Sequence, residues 1–183
     1  NSGLVDLITE DDGRVYCIPK VIYAHFTAGD TYLWHYTLYY RADWAKELGY
    51  NFGDTVTISE LASFCKDCIA NDKAGNGKTV GLTLRSSLLQ ELMRLNSPYY
   101  NTFAKVDGKY VWGPTMDGTL EGIQQVKTLY NDGVLDPDFY VYGTGAEMGM
   151  FTSGQAACMI YDGLVGSYGS LITDMVSSGI ASD

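Results

Sequence analysis

From Thr31 to Tyr40 apolar and polar positions alternate, with Tyr32, Trp34, Tyr36, Leu38 and Tyr40 on one parity, and this period of two predicts a strand. Upstream, Arg14-Val15-Tyr16-Cys17-Ile18-Pro19 is rich in β-formers and ends in proline, which predicts a short strand leaving a turn. From Arg41 the period lengthens. Trp44 and Leu48 lie four apart and the run stops at Gly49, the pattern of a short helix closed by glycine.

Thr57-Ile58-Ser59-Glu60 is a capping box, in which hydroxyl and carboxylate each satisfy an otherwise unpaired amide at a helix start. The helix behind it predicts Leu61, Phe64, Cys65, Cys68 and Ile69 as its buried face, and the polar, glycine-rich residues 71–79 read as a loop. Leu88, Leu92, Met93 and Leu95 form a further helical stripe. Asp107-Gly108 between two short β-rich runs, Ala104–Val106 and Tyr110–Trp112, predicts a hairpin, because that dipeptide tolerates the positive φ of a two-residue turn.

Thr115 is placed to cap a helix carrying Leu120, Ile123, Val126 and Tyr130, which ends at Gly133 before Pro137. A short helix over Ala146–Phe151, a turn at Ser153-Gly154 and a buried strand over Ala156–Tyr161 follow. The last helix runs from about Gly163 to Ser177 with Leu164, Tyr168, Leu171, Ile172 and Met175 inward. Strands interleaved with helices predict an α/β fold, and 183 residues suit one domain with a real core.

Composition narrows the function. Hydrophobic residues at 46% and charged residues at 19% are globular proportions. The formal charge is −10 with no basic run, which excludes a nucleic-acid groove and disfavours anionic membranes, since phosphate binding needs clustered Lys and Arg. No apolar stretch reaches the roughly 18–20 residues that cross a bilayer. Asn1-Ser2-Gly3 does not resemble a signal peptide, and a start without Met reads as an excised or processed piece.

The motifs that usually announce chemistry are incomplete. Cys17, Cys65, Cys68 and Cys158 are too scattered for a disulfide framework, and the single Cys65/Cys68 C-x-x-C lacks the second pair or the His ligands of a zinc site. Those two cysteines therefore read as small apolar residues on one helix face. Gly75-Asn76-Gly77-Lys78-Thr79 has Asp72 where a phosphate loop needs its first glycine. As a calcium loop it offers Asp72 and Asn76, while Ala74 and Thr83 occupy two ligand positions, so calcium would need ligands from another segment.

Gly143-Thr144-Gly145 lacks the third glycine of a dinucleotide fingerprint. His25 and His35 sit near no nucleophile motif, and Asp136 and Asp138 flank Pro137 in a spacing that suits a turn. No catalytic set is assigned, no cofactor is implied, and an enzyme is not expected. What remains is 15 Tyr and 3 Trp, rings that stack on the C–H face of a sugar while their polar tips bond its edge.

Read in order, six segments resemble extracellular solute-binding proteins of ABC importers, family 1, and particularly the lipoprotein-type Gram-positive members. They are Gly13–Pro19, Leu38–Gly49, Thr57–Leu61, Gly75–Lys78, Leu129–Phe139 and Phe151–Met159. Cys17, Ala74 and the pair Leu164-Val165, where many sugar-binding members carry Trp, depart from the pattern.

The resemblance implies a class II periplasmic-binding-protein-like fold whose two α/β lobes close on ligand. The chain, residues 1–183, would be a single domain, the second lobe, with a mixed sheet flanked by helices. It further implies a small-molecule solute, a carbohydrate or oligosaccharide, delivered to a membrane permease by a monomeric extracellular protein anchored through an upstream lipid-modified Cys. Carried over residue by residue, it nominates Tyr40, Tyr161 and Asp162 for ligand contact. Tyr36 joins them by sharing the parity of Tyr40, and Arg41 as a directional donor. A protein-interaction module and a secreted glycan hydrolase are the competing classes.

Overall fold

The computed structural model describes residues 5, 6, 8–16 and 36–181. Cys17, His25, His35 and the first half of the strand expected from Thr31 lie outside the described residues. The chain divides into two units, residues 1–34 and 35–183. In the first, Thr9 bridges Val15 in antiparallel fashion around a turn at residues 11–13, where Gly13 has a φ of 76°. Val15 thus makes a single bridge, while the remainder of the strand expected over 14–19 is not described beyond Tyr16.

The second unit is built on strand β5, Ala156–Asp162. Its first five residues are all buried, and such a run, apolar on both parities, belongs to a strand covered on both faces. β1, Tyr36–Tyr40, pairs with it antiparallel, and β2, Val80–Thr83, pairs parallel on its other side, giving the order β1-β5-β2. A parallel bridge from Leu82 to Leu135 carries the sheet one segment further.

Helices cover both faces. α1, Ala42–Glu47, and α2, Ile58–Ala70, bring Trp44, Leu61, Phe64, Cys65 and Cys68 against Leu82, Cys158 and Ile160. On the opposite face Phe151 and Leu171 pack with Ala156 and Met159. The expected α/β class, a mixed sheet flanked by helices, is the architecture observed.

The capping box forms in full: the Thr57 hydroxyl accepts from the Glu60 amide, and the Glu60 carboxylate accepts from the Thr57 amide at 2.8 Å. Ile69, expected in the core, is only half-buried. β2 follows a loop from which no strand is expected by pattern, because it is four residues long and contains Gly81. That glycine is where residues 134–136 approach: a Cβ there would lie 2.5 Å from the Val134 carbonyl oxygen. After a 3₁₀ turn at Ser86–Leu88, α3, Leu89–Arg94, buries Leu92 and leaves Leu95 exposed beyond its end.

The hairpin forms as expected between β3, Phe103–Val106, and β4, Lys109–Trp112, with Asp107 at φ 50° and Gly108 at φ 77°. Two helices differ from their sequence pattern. Thr115 does not cap α4, Asp117–Asn131: its hydroxyl donates to the Trp112 carbonyl inside a 3₁₀ turn, and Met116 takes the cap position. In α4 the side turned inward is Thr119, Gly122 and Leu129, while Leu120, Ile123 and Tyr130 face solvent, because Gly122 lies against the Met93 backbone.

The second difference concerns the last helix. α5, Ala146–Thr152, precedes β5, and α6, Val165–Ser177, follows it. Of the residues expected inward in the last helix, Leu171 is buried and Met175 half-buried, whereas Tyr168, Ile172 and Leu164, which caps α6, are exposed.

Candidate functional site at the carboxyl edge of the sheet

In α/β sheets ligands bind outside the carboxyl ends of the strands, where chains diverge to opposite sides. Here β2, β5 and the Leu135 segment run parallel, so their carboxyl ends share one edge, and antiparallel β1 brings its first residue there. Tyr36 stands opposite Asp162 and Thr37 opposite Tyr161. Tyr36, Tyr161 and Asp162 are each half-buried.

The Asp162 backbone carbonyl accepts from the Tyr39 hydroxyl at 2.8 Å, and its carboxylate accepts from the Leu164 amide at 2.8 Å, fixing the turn into α6. Burial, with the Asp162 charge adding to it, raises the Tyr39 phenol above its ordinary value, so it remains a donor at neutral pH.

Tyr40 and Arg41 occupy the other end of β1, with Tyr40 opposite Cys158. Four residues of strand separate Tyr40 from Tyr36, roughly 13 Å. Tyr40 meets Phe52 and Phe64 edge-on, at 5.2 and 6.4 Å between centroids, and borders a hollow of about 290 Å³ with Leu38, Phe52 and Val56.

Arg41 is 6% exposed. Its Nε and Nη2 donate to the Asp43 carboxylate, and its guanidinium lies 4.5 Å over the Trp44 ring. These contacts fasten β1 to α1, while Arg41 Nη1 is buried without a hydrogen-bond partner and the residue borders a hollow of about 450 Å³ with Tyr39, Tyr40 and Tyr168. The structure therefore brings Tyr36, Tyr161 and Asp162 together and leaves Tyr40 and Arg41 apart from them.

The same carboxyl edge carries polar residues that the sequence reading did not nominate for it. Asp136, buried just after the Leu135 bridge, accepts from the Asp138 amide at 3.0 Å and from the Tyr142 hydroxyl at 2.6 Å. Burial and this carboxylate push the Tyr142 phenol well up. Leaving β2, Arg85 reaches Glu147 in the first turn of α5, Nη1 to Oε1 3.5 Å. The missed signal was β2 itself, since without a strand before it Arg85 had no edge to stand on.

The loop after α2 closes on itself. Both Asp72 oxygens are engaged, one by the Gly77 amide and one by the Thr79 hydroxyl, each at 2.9 Å, and Asn76 Oδ1 accepts from the Lys78 amide. Those bonds hold the Asp72 carboxyl below its ordinary value. The candidate calcium ligands Asp72 and Asn76 thus serve as turn residues, and among the described residues no three His, Cys, Asp or Glu side chains gather around a point that could hold a metal.

Cys65, Cys68 and Cys158 are free, buried thiols in the core, and burial pushes the Cys68 thiol up to about 12. Among the described residues no helix is long and apolar enough to cross a membrane.

No family model and no curated protein sequence matches the chain. Solved structures do. The alginate-binding protein AlgQ2, determined without calcium ion, is 18% identical with a TM-score of 0.63, covering 88% of this chain and 32% of its own. The S. pneumoniae ABC-transporter substrate-binding protein FusA, in complex with kestose, is 17% identical with a TM-score of 0.62, covering 87% and 34%. Maltose-bound MalE3 of T. maritima is 19% identical with a TM-score of 0.52, covering 86% and 37%.

The fold is therefore that of one lobe of the periplasmic-binding-protein-like architecture. The chain spans about a third of the length of these structures.

Proposed function

We propose that the chain is the second lobe of an extracellular solute-binding protein of an ABC importer, of the family 1 lipoprotein type, and that it captures a carbohydrate without transforming it. Residues 1–183 then form one domain of the whole protein, the first lobe supplies the facing wall of the cleft, and a membrane permease receives the solute. On this reading the intact protein is a monomer held outside the membrane through a lipid-modified cysteine upstream.

The observation that carries the reading is the carboxyl edge itself. Tyr36 stands opposite Asp162 on one face of the sheet and Tyr161 on the other face, so both faces of this edge carry a tyrosine, on a fold shared with proteins solved with kestose and maltose. A ring stacks on the apolar face of a pyranose while a carboxylate accepts from its hydroxyls. Tyr40 and Arg41 stand toward the far end of β1, with Tyr40 opposite Cys158.

Titration calorimetry of the full-length protein against an oligosaccharide panel tests the reading. Binding of a glycan that weakens in Tyr161→Ala and Asp162→Asn supports it, whereas clear peptide or inorganic-anion binding with no response to any glycan overturns it.

A further inference from the structure

We propose that Arg85, tethered by the buried carboxylate of Glu147 and standing level with Tyr161, is the donor that reads the hydroxyls of an uncharged saccharide, and that this edge discriminates against acidic sugars. The proposal rests on the solute-binding reading and specifies the chemical class of the solute.

Register fixes the placement. Thr83 pairs with Met159 in the parallel β2–β5 ladder, so two residues further along each chain Arg85 arrives at the level of Tyr161. The Thr83 hydroxyl donates to Met150 Sδ in α5, and side chains two apart share a face, so Arg85 also lies on the α5 side of the sheet. Tyr161 packs with the cluster on that side. By this register a guanidinium and an aromatic ring fall on one side of the sheet at its carboxyl edge.

Glu147 explains why the arginine is held there. It is 0% exposed, and its Oε2 accepts from the Gly145 amide at 3.1 Å. Its Oε1 has no hydrogen-bond partner and finds only Arg85 Nη1, at 3.5 Å. A carboxylate stripped of water and left with an unsatisfied oxygen is costly, and a cation beside it is what makes its burial tolerable. The tether limits the rotamers of Arg85, whose side chain remains 20% exposed, so less conformational freedom is lost when its other N–H groups engage a ligand.

Charge then sets the class. Arg85 and Glu147 cancel, and Asp136 and Asp162 add negative charge at the same edge. Segments 36–39, 84–88, 136–147 and 160–165 hold no other lysine or arginine. A uronate carboxylate would meet an acidic surface whose one cation is already neutralised, whereas a neutral sugar offers oxygens to the guanidinium and O–H groups to the carboxylates.

Nitrogen-15 NMR of the full-length protein reads this directly, with the Arg85 Nε–Hε resonance assigned through Arg85→Lys. Maltose and laminaribiose are expected to shift that resonance and the Tyr161 amide. An oligouronate of equal length should bind about tenfold more weakly or less, and Arg85→Lys should weaken maltose or laminaribiose by about tenfold, the loss expected when a fixed fork becomes a point charge.

Glu147→Gln, in which a positioning residue loses only its charge, should move the free-state Arg85 signal and weaken the neutral sugar while the amide spectrum stays that of the folded chain. Because Arg85→Gln alone would strand a buried carboxylate, the double variant Arg85→Gln with Glu147→Gln is the folded control, and it should lose the response. Neutral-sugar binding unchanged in the double variant, or an oligouronate that binds as tightly as maltose, overturns the proposal and leaves the solute reading standing. A folded full-length protein in which no saccharide moves any resonance overturns both.

Discussion

Gly81 decides how wide the sheet can be. With no Cβ it lets the Val134 carbonyl come close enough to accept from the Leu82 amide at 2.7 Å, while a methyl group there would stand 2.5 Å from that oxygen and 2.9 Å from Cys65 Cβ. Backbone on one side and a packed helix on the other cannot both yield. Gly81→Ala is therefore expected to lower stability by about 2 kcal/mol, within the usual range for overpacking, which urea unfolding followed by circular dichroism would measure.

At the far end of β1, burial raises the Asp43 carboxyl, but the hydrogen bonds and charge of Arg41 and the Trp44 amide outweigh it and hold the group below its ordinary 3.8. A folded value below the unfolded one gives stability that is complete above the unfolded value and is lost as pH falls through the folded one. Thermal melts should therefore show a steeper acid limb below about pH 4 in the native chain than in Asp43→Asn. A limb of equal slope in both would remove Asp43 from the account.

Among elements, legibility followed how local the deciding interaction is. The capping box of α2 and the Asp107-Gly108 hairpin are set by residues adjacent in the chain, and both stand as the sequence reads. α4 does not. Its apolar period is real, yet the face that packs is the one with Gly122, since only a residue without a side chain lets the Met93 backbone approach.

Periodicity records which residues share a face and is silent about which face a neighbour will take. The same distinction sorts two threonines. Thr57→Ala removes a cap and should cost about 1 kcal/mol, whereas Thr115→Ala removes only a bond inside a 3₁₀ turn and should cost well under half of that. Chemical denaturation of the pair would show whether the two sites differ as their bonding does.

For the molecule as a whole, alternating helical and β-rich segments were enough to read an α/β sheet, and the order of six short segments pointed to the fold that the solved structures share. The candidate site was legible only in part. Asp162 and Tyr161 end a strand whose apolar run is plain in the sequence, so their place at an edge could be foreseen. Tyr36 and Tyr40 share a parity, but parity gives a face and not an end, and the antiparallel register sends them to opposite edges. Arg85 and Glu147 meet only because β2 and the start of α5 converge on one side of the sheet, which no local pattern encodes.

The strand order also sets a timetable for synthesis. Among the described strands of this sheet β5 is the last to leave the ribosome, yet both β1 and β2 hydrogen-bond to it and neither pairs with the other. Until β5 has emerged, β1 has no ladder to join and β2 has only the single bridge to Leu135, so most of their apolar faces must wait under chaperone protection or in transient clusters. Nascent chains stalled before residue 156 should therefore be cut readily by protease within β1 and β2, and resistance there should appear once β5 clears the exit tunnel.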